Sequence, residues 1–179
     1  MRIIAGEWRG RRIEAPAGET TRPTSDRARE GLFSMLASRL GSFEGLQVAD
    51  LFAGTGALGL EALSRGAQFC TFVEKDRKAI DILKANIARL GAQARSEVRG
   101  QAVEHAPGPP GPCDLILIDP PYGSGLAQPA LERAAAWLAP GGWLGVELHG
   151  EALQPPSGME PQAERRFGKA RLILLRMPV

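Results

Sequence analysis

The feature that most constrains this chain is the stretch LFAGTGALGLEALSRGA at residues 51–67, in which Gly54, Gly56 and Gly59 fit G-x-G-x-x-G letter for letter. Glycines at these places allow positive φ and let a ligand approach bare backbone beside a helix N-terminus. An apolar run ending in Asp50-Leu51-Phe52 precedes the loop and good helix formers follow it. The segment therefore reads as strand, turn and helix, the opening unit of an α/β fold.

Three ligand states remain open for such a loop. A dinucleotide would place its pyrophosphate here and its ribose on an acidic residue about 20 positions later, where Glu74 stands. S-adenosylmethionine needs the same parts: open backbone for the methionyl and adenosine portions, and a carboxylate for the ribose hydroxyls. A structural turn without a ligand is the third. Asp50 favours the methyl donor, because a carboxylate there repels a pyrophosphate and tolerates a ligand carrying a sulfonium and an ammonium. Its other reading is a residue that orders the turn.

The rest of the chain extends the β/α alternation. Residues 46–52 (LQVADLF), 69–74, 114–118 (DLILI) and 142–148 read as strands, with a weak one at 94–99; residues 58–65, 77–90 and 127–138 read as helices. Ile80, Leu83, Ile87 and Leu90 carry helical spacing, whereas PGPPGP at 107–112 is a loop, since consecutive prolines supply no ladder donors. The expected fold is a Rossmann-like, doubly wound α/β domain with a mainly parallel sheet, and ligands at the carboxyl edge of its strands. Runs at 163–168 and 171–176 should close the sheet as an antiparallel hairpin. At the other end, residues 2–5 and 11–15 should pair around 7–10. A helix from Asp26 to Leu40 follows, capped by Ser25 and striped by Ala28, Leu32, Met35 and Leu36. A chain of 179 residues suits one domain: a substrate-facing extension over 1–40 and a cofactor-binding, catalytic core over 41–179.

Composition narrows the setting. With 44% hydrophobic and 23% charged residues and no apolar run near the roughly 20 residues of a membrane span, the chain reads as globular and cytoplasmic, without a secretory signal. Cys70 and Cys113 read as free thiols. No metal is expected, since neither cysteine has a second Cys or His at ligand spacing. The net charge is only +2, but both ends are basic. Arg2, Arg9, Arg11 and Arg12 face only Glu7, and Arg165, Arg166, Lys169, Arg171 and Arg176 face only Glu164. A nucleic-acid partner is one reading and a solvated surface the other.

The strand DLILI ends in Asp119-Pro120-Pro121-Tyr122, and these residue types suit chemistry at an exocyclic amine. The lone pair of such a nitrogen is delocalised until acceptors hold its N–H groups out of conjugation. Asp119 offers a carboxylate and Pro120 a carbonyl, while the prolines fix φ and add no competing donor. Tyr122 can stack on an extruded base. The bland reading is a plain strand-ending turn.

Here the chain resembles the amino-methyltransferases that use S-adenosylmethionine and carry D/N-P-P-Y/F. With MRIIAGEWRGRRIEAP, TRPTSDRAREGLFSML, LFAGTGALGLEALSRGA, LILIDPPYGSG and the terminal RFGKARLILL, it resembles the RsmD family, which methylates the N2 amine of a guanine in bacterial small-subunit (16S) ribosomal RNA. The resemblance implies S-adenosylmethionine as cofactor and ribosomal RNA, in or out of a small-subunit particle, as partner. It implies that Asp50, Ala53, Gly54, Thr55 and Gly56 line the methionyl side, that Glu74 holds the ribose, and that Asp119 to Tyr122 hold the guanine. Arg22, Pro23, Thr24, Asp26 and Arg27 would close over the cofactor or the RNA backbone, with a salt bridge from Arg22 or Arg27 to Asp26 or Glu30 as the plainer role. Arg9, Arg11 and Arg12 would meet phosphates. One departure stands out: related enzymes often carry an acidic residue after the third strand for the adenine amine, whereas this chain has Gln101 and Ala102. The D-P-P-Y motif is shared with DNA-adenine and protein-glutamine methyltransferases. A nicotinamide-dependent oxidoreductase and a non-catalytic nucleotide-binding module are the alternatives from other classes.

Overall fold

The structure, a computed structural model, describes residues 1–16 and 23–179, with side chains for 1–16 and 26–179. One seven-stranded sheet organises it. β1 (Gln47–Leu51), β2 (Phe69–Val73), β3 (Ser96–Arg99), β4 (Cys113–Ile118) and β5 (Leu138–Leu148) run parallel; β6 (Glu160–Phe167) and β7 (Ala170–Arg176) form the antiparallel hairpin, in the order β3-β2-β1-β4-β5-β7-β6. The order reverses between β1 and β4, which leaves a crevice at their carboxyl ends, where a doubly wound sheet takes its ligand.

The helices cover both faces. α1 (Pro23–Leu40), α2 (Ala57–Ser64) and α3 (Arg77–Leu90) share one core with Leu115, Leu117 and Trp143, whereas α4 (Ala127–Trp137) packs on Ile116, Ile118, Leu144 and Val146. Alternation along β4 and β5 thus sends odd-numbered side chains toward α1–α3 and even-numbered ones toward α4. Burial on both faces explains why DLILI is an unbroken apolar run.

Local chemistry sets the helix ends. Asp76 caps α3 by accepting the Ala79 N–H at 2.9 Å, and Gly91 closes it at φ 68°. α1 begins at Pro23, earlier than the expected start after a Ser25 cap, which puts Ser25 inside the helix. Proline at a first helical position has no N–H to waste and a preset φ, so it can open the helix itself.

The amino-terminal residues form a tighter unit than an appended arm. Arg2 and Arg12 make a single antiparallel bridge, flanked by Ile3 N–H to the Arg11 carbonyl and Ile13 N–H to the Met1 carbonyl, both 3.0 Å. Ile3, Trp8 and Ile13 are buried in the α1–α3 core. Glu61, on α2, is fully buried and accepts Ile4 N–H at 2.8 Å, Ala5 N–H at 3.1 Å and the Arg65 guanidinium at 2.9 Å. A carboxylate can be held there because charged and backbone donors surround it; removing them would leave a buried charge costing several kcal/mol. Asn86 links this unit to the glycine loop, donating to the carbonyls of Glu14 and Thr55 and accepting the Glu14 N–H.

Candidate active site

The glycine loop turns where β1 leaves the sheet. Phe52 takes φ 62°, the one positive φ of a non-glycine residue among those described. For a bulky side chain this is a strained conformation, of a kind that persists where neighbours enforce it. Those neighbours include the Ala53 N–H, which donates to the Val73 carbonyl at 3.0 Å. Gly54 and Gly56 follow at φ 57° and 89°. A Cβ on Gly56 would meet Leu83 at 2.4 Å and one on Gly59 would meet Phe72 at 2.4 Å, so both glycines serve close packing; a Cβ on Gly54 meets nothing within 4 Å. The three glycines of the motif thus divide into two that seat α2 and one that opens to the crevice.

Two carboxylates order the loop. Glu74 accepts the Gly54 N–H through Oε1 at 2.8 Å and the Asp76 N–H through Oε2 at 2.9 Å. Each oxygen keeps a lone pair for a hydroxyl donor. Asp50 is buried; its Oδ2 accepts the Gly59 N–H at 2.9 Å, while its Oδ1 has no partner. It therefore supplies the cap that Gly56, the residue at the helix start, cannot. Burial pushes the Asp50 carboxyl up to about 7, against the Gly59 bond and with help from Glu74. One oxygen orders the turn and the other is left over for a ligand, so the two sequence readings of Asp50 both hold a share.

Phe52, Val73, Glu74, Gln101, Asp119 and Pro121 are among the residues lining one cleft, together with Ala102 and Leu126. Gln101 and Ala102 thus share a cleft with Glu74 and Asp119. Pro120 is buried, whereas Pro121 and Tyr122 are exposed, Tyr122 by 80%. Such an aromatic ring at a cleft mouth is available for stacking.

The structure adds two residues that the sequence did not single out. Ile118 pairs with Val146, so Asp119 and Glu147 follow side by side, and His149 comes two residues later on the same face. Donor atoms of Asp119, Glu147 and His149 all lie within 4.8 Å of one another. His149 Nε2 is 3.4 Å from Glu147 Oε1, and the His149 and Tyr122 rings meet edge-on at 6.2 Å. Burial first, then Glu147, Asp50 and Glu151, hold the Asp119 carboxyl well above the usual range. Glu147 is also raised by burial, with His149 opposing. The expectation of no metal rested on cysteine and histidine spacing; this trio has donors of the metal-binding kind, assembled across strands where spacing along the chain cannot reveal them.

The basic residues are dispersed. Arg9, Arg11, Arg12 and Arg27 are exposed, with Arg11 donating to the Arg89 carbonyl at 2.7 Å. The ion pair at the start of α1 joins Asp26 to Arg29 at 3.6 Å, and among the described residues Arg27 makes none. The i,i+3 spacing brings Arg29, not its neighbour, over Asp26. The side chains expected of Arg22 and Thr24 lie outside the described residues. Cys70 and Cys113 are free and buried, and no described helix is long and apolar enough to cross a membrane.

A 3-2-1-4-5-7-6 sheet with a glycine turn after β1 and an acidic end to β2 is the fold of the class I, S-adenosylmethionine-dependent methyltransferases. The family model described as Conserved hypothetical protein 95 matches residues 1–176, and the chain belongs to that family, the RsmD family. It is 41% identical over 147 residues to Ribosomal RNA small subunit methyltransferase D of Escherichia coli K12, covering 82% of this chain and 71% of that one. The protein of the same name from Haemophilus influenzae is 38% identical over 154 residues, covering 82% and 78%. The solved structure of the Escherichia coli protein yhhF superposes with a TM-score of 0.86 at 34% identity, covering 100% of this chain and 98% of that one.

Proposed function

We propose that the protein transfers a methyl group from S-adenosylmethionine to the N2 amine of a guanine in small-subunit ribosomal RNA. The observation that carries methyl transfer to an amine is the Asp119-Pro120-Pro121-Tyr122 turn, which sets a carboxylate against the cleft beside the loop that Asp50 and Glu74 order; the choice of guanine N2 rests on the family resemblance. The ribosomal substrate rests on the relatives named above.

The cofactor fits the residues present. The unpartnered Asp50 Oδ1 suits an ammonium donor, the free lone pairs of Glu74 suit ribose hydroxyls, and Gly54 leaves backbone open. Ala53, Thr55 and Gly56 complete the methionyl side, and Gln101 and Ala102 meet the adenine. When bound, S-adenosylmethionine supplies a methyl group on a sulfonium sulfur, which needs a nucleophile with an available lone pair. Asp119 and the Pro120 carbonyl accept the two N–H groups of the amine and free that lone pair from the ring. Tyr122 covers the extruded base. After transfer the amine is cationic and acidic, and Asp119 or water takes its proton. Arg9, Arg11, Arg12 and Arg27 position the RNA through phosphates, without reading sequence.

Labelled methyl transfer to small subunits, free ribosomal RNA, DNA and protein, followed by nucleoside analysis, tests this reading. The expected product is N2-methylguanosine in small-subunit RNA; label in protein or DNA would favour the glutamine or adenine alternative. Calorimetry should show binding of S-adenosylhomocysteine and none of NADH.

A further inference from the structure

The D-P-P-Y turn grips an amine but cannot choose its owner. Adenine and guanine both present an NH₂ on a ring carbon, and Asp119 with the Pro120 carbonyl would accept its two protons in either case. What differs is the ring nitrogen beside the amine. Guanine carries a donor there, N1–H, whereas adenine carries a bare N1 lone pair. A pocket that tells them apart needs a group next to Asp119 to read that position.

Glu147 stands there. The β4–β5 register puts it beside Asp119 and facing the same way, with their oxygens within 4.8 Å. Its side chain is only 12% exposed, and Oε1 is engaged by His149 at 3.4 Å. That contact fixes the carboxylate plane and leaves Oε2 free. Tyr122 stands edge-on to His149, so the ring meant to cover the base borders the same corner.

We propose that Glu147 is the specificity-determining residue of this pocket: its carboxylate accepts the guanine N1–H while Asp119 holds the adjacent amine. The inference rests on the guanine-N2 reading above and deepens it. An ionised carboxylate is an acceptor only, so it attracts N1–H and repels the lone pair of adenine N1. Burial pushes both carboxyls upward, and for Asp119 the neighbouring Glu147 adds to it, so two like charges crowd the empty pocket. A base offering two adjacent donors relieves that repulsion, and a base offering a donor and an acceptor does not.

2-Aminopurine separates the two contacts, because it keeps the N2 amine of guanine but has a bare N1. Small-subunit RNA rebuilt by splinted ligation, with guanine or 2-aminopurine at the methylated position and assembled with small-subunit proteins, supplies the pair of substrates. The wild-type protein is expected to prefer guanine by roughly 30- to 100-fold in kcat/KM, the effect of setting a charged acceptor against a lone pair. Glu147→Gln keeps the shape and can turn either its oxygen or its NH₂ to the ring. It should bring that ratio within about tenfold while binding S-adenosylhomocysteine normally. Equal wild-type rates on the two bases would overturn the proposal, and so would an unchanged ratio in Glu147→Gln. Calorimetric binding of a divalent cation to the protein alone, lost in Glu147→Gln, would also overturn it, since Glu147 would then be a metal ligand. Methylation of natural small-subunit RNA at a base other than guanine would instead defeat the guanine-N2 reading, leaving the two failures distinct.

Discussion

The two sides of the cleft are built in opposite ways. On the β1–β2 side the loop is tied to the fold: Glu74 holds two backbone donors, Asp50 holds one, and Asn86 braces the Thr55 carbonyl. On the β4–β5 side carboxyls crowd together around Asp119, with the Glu147–His149 contact as their principal relief, and Tyr122 projects into solvent. A site meant to hold a ligand already made by other enzymes can be finished in advance. A site meant to distort an amine gains from acceptors that become satisfied only when that amine arrives, since interactions completed in the transition state raise kcat.

The sharpest way to break this contrast is Asp119→Asn. It keeps one acceptor and the fold, and it is expected to lower kcat by about 2–4 kcal/mol, roughly 30- to 1,000-fold, with little change in S-adenosylhomocysteine affinity by calorimetry. If affinity fell as far as kcat, the two sides would not be separable. The converse change, Gly59→Ala, strikes the tied side. Its Cβ would enter Phe72 and Cys70, so urea unfolding should show about 1–3 kcal/mol of lost stability.

A third comparison uses pH. Asp50 titrates near 7, so it is mostly protonated at pH 6 and mostly ionised at pH 8. If its free oxygen receives the ligand's ammonium, S-adenosylhomocysteine affinity should rise about tenfold across that interval and level off above it. Asp50→Asn should flatten the profile. A profile unchanged in the variant would confine Asp50 to capping α2. The smallest effect is expected from the periphery. Replacing Arg9, Arg11 and Arg12 by alanine should reduce the salt dependence of RNA binding by up to about 0.7–0.9 in log–log slope for each phosphate left without its arginine, with cofactor affinity intact.

What was legible in the sequence follows the same division. Gly54, Gly56, Gly59, Asp50 and Glu74 act through turns and strand ends, whose chemistry is local and shows as a motif. Asp119 to Tyr122 is legible for the same reason. Glu147 and His149 were not, because V-E-L-H reads as an ordinary alternating strand until β5 is laid in register against β4. The α1 boundary was missed because Ser25 looked like a cap while Pro23 did the starting. Glu61 was missed too: a glutamate in LGLEALS suggests a solvated helix face, yet it is buried because its partners come from residues 4 and 5.

That clasp also sets an order of events during synthesis. Residues 4 and 5 await Glu61, Glu14 awaits Asn86, and Glu7 awaits Arg95, separations of 57, 56, 72 and 88 positions. At roughly 5–20 residues per second, the first segment emerges about 4 to 18 seconds before its last partner. Loop closure over such distances is slow in any case. For that interval Ile3, Trp8 and Ile13 have only part of the α1–α3 core to pack on, and they are the residues a chaperone would be expected to shelter first.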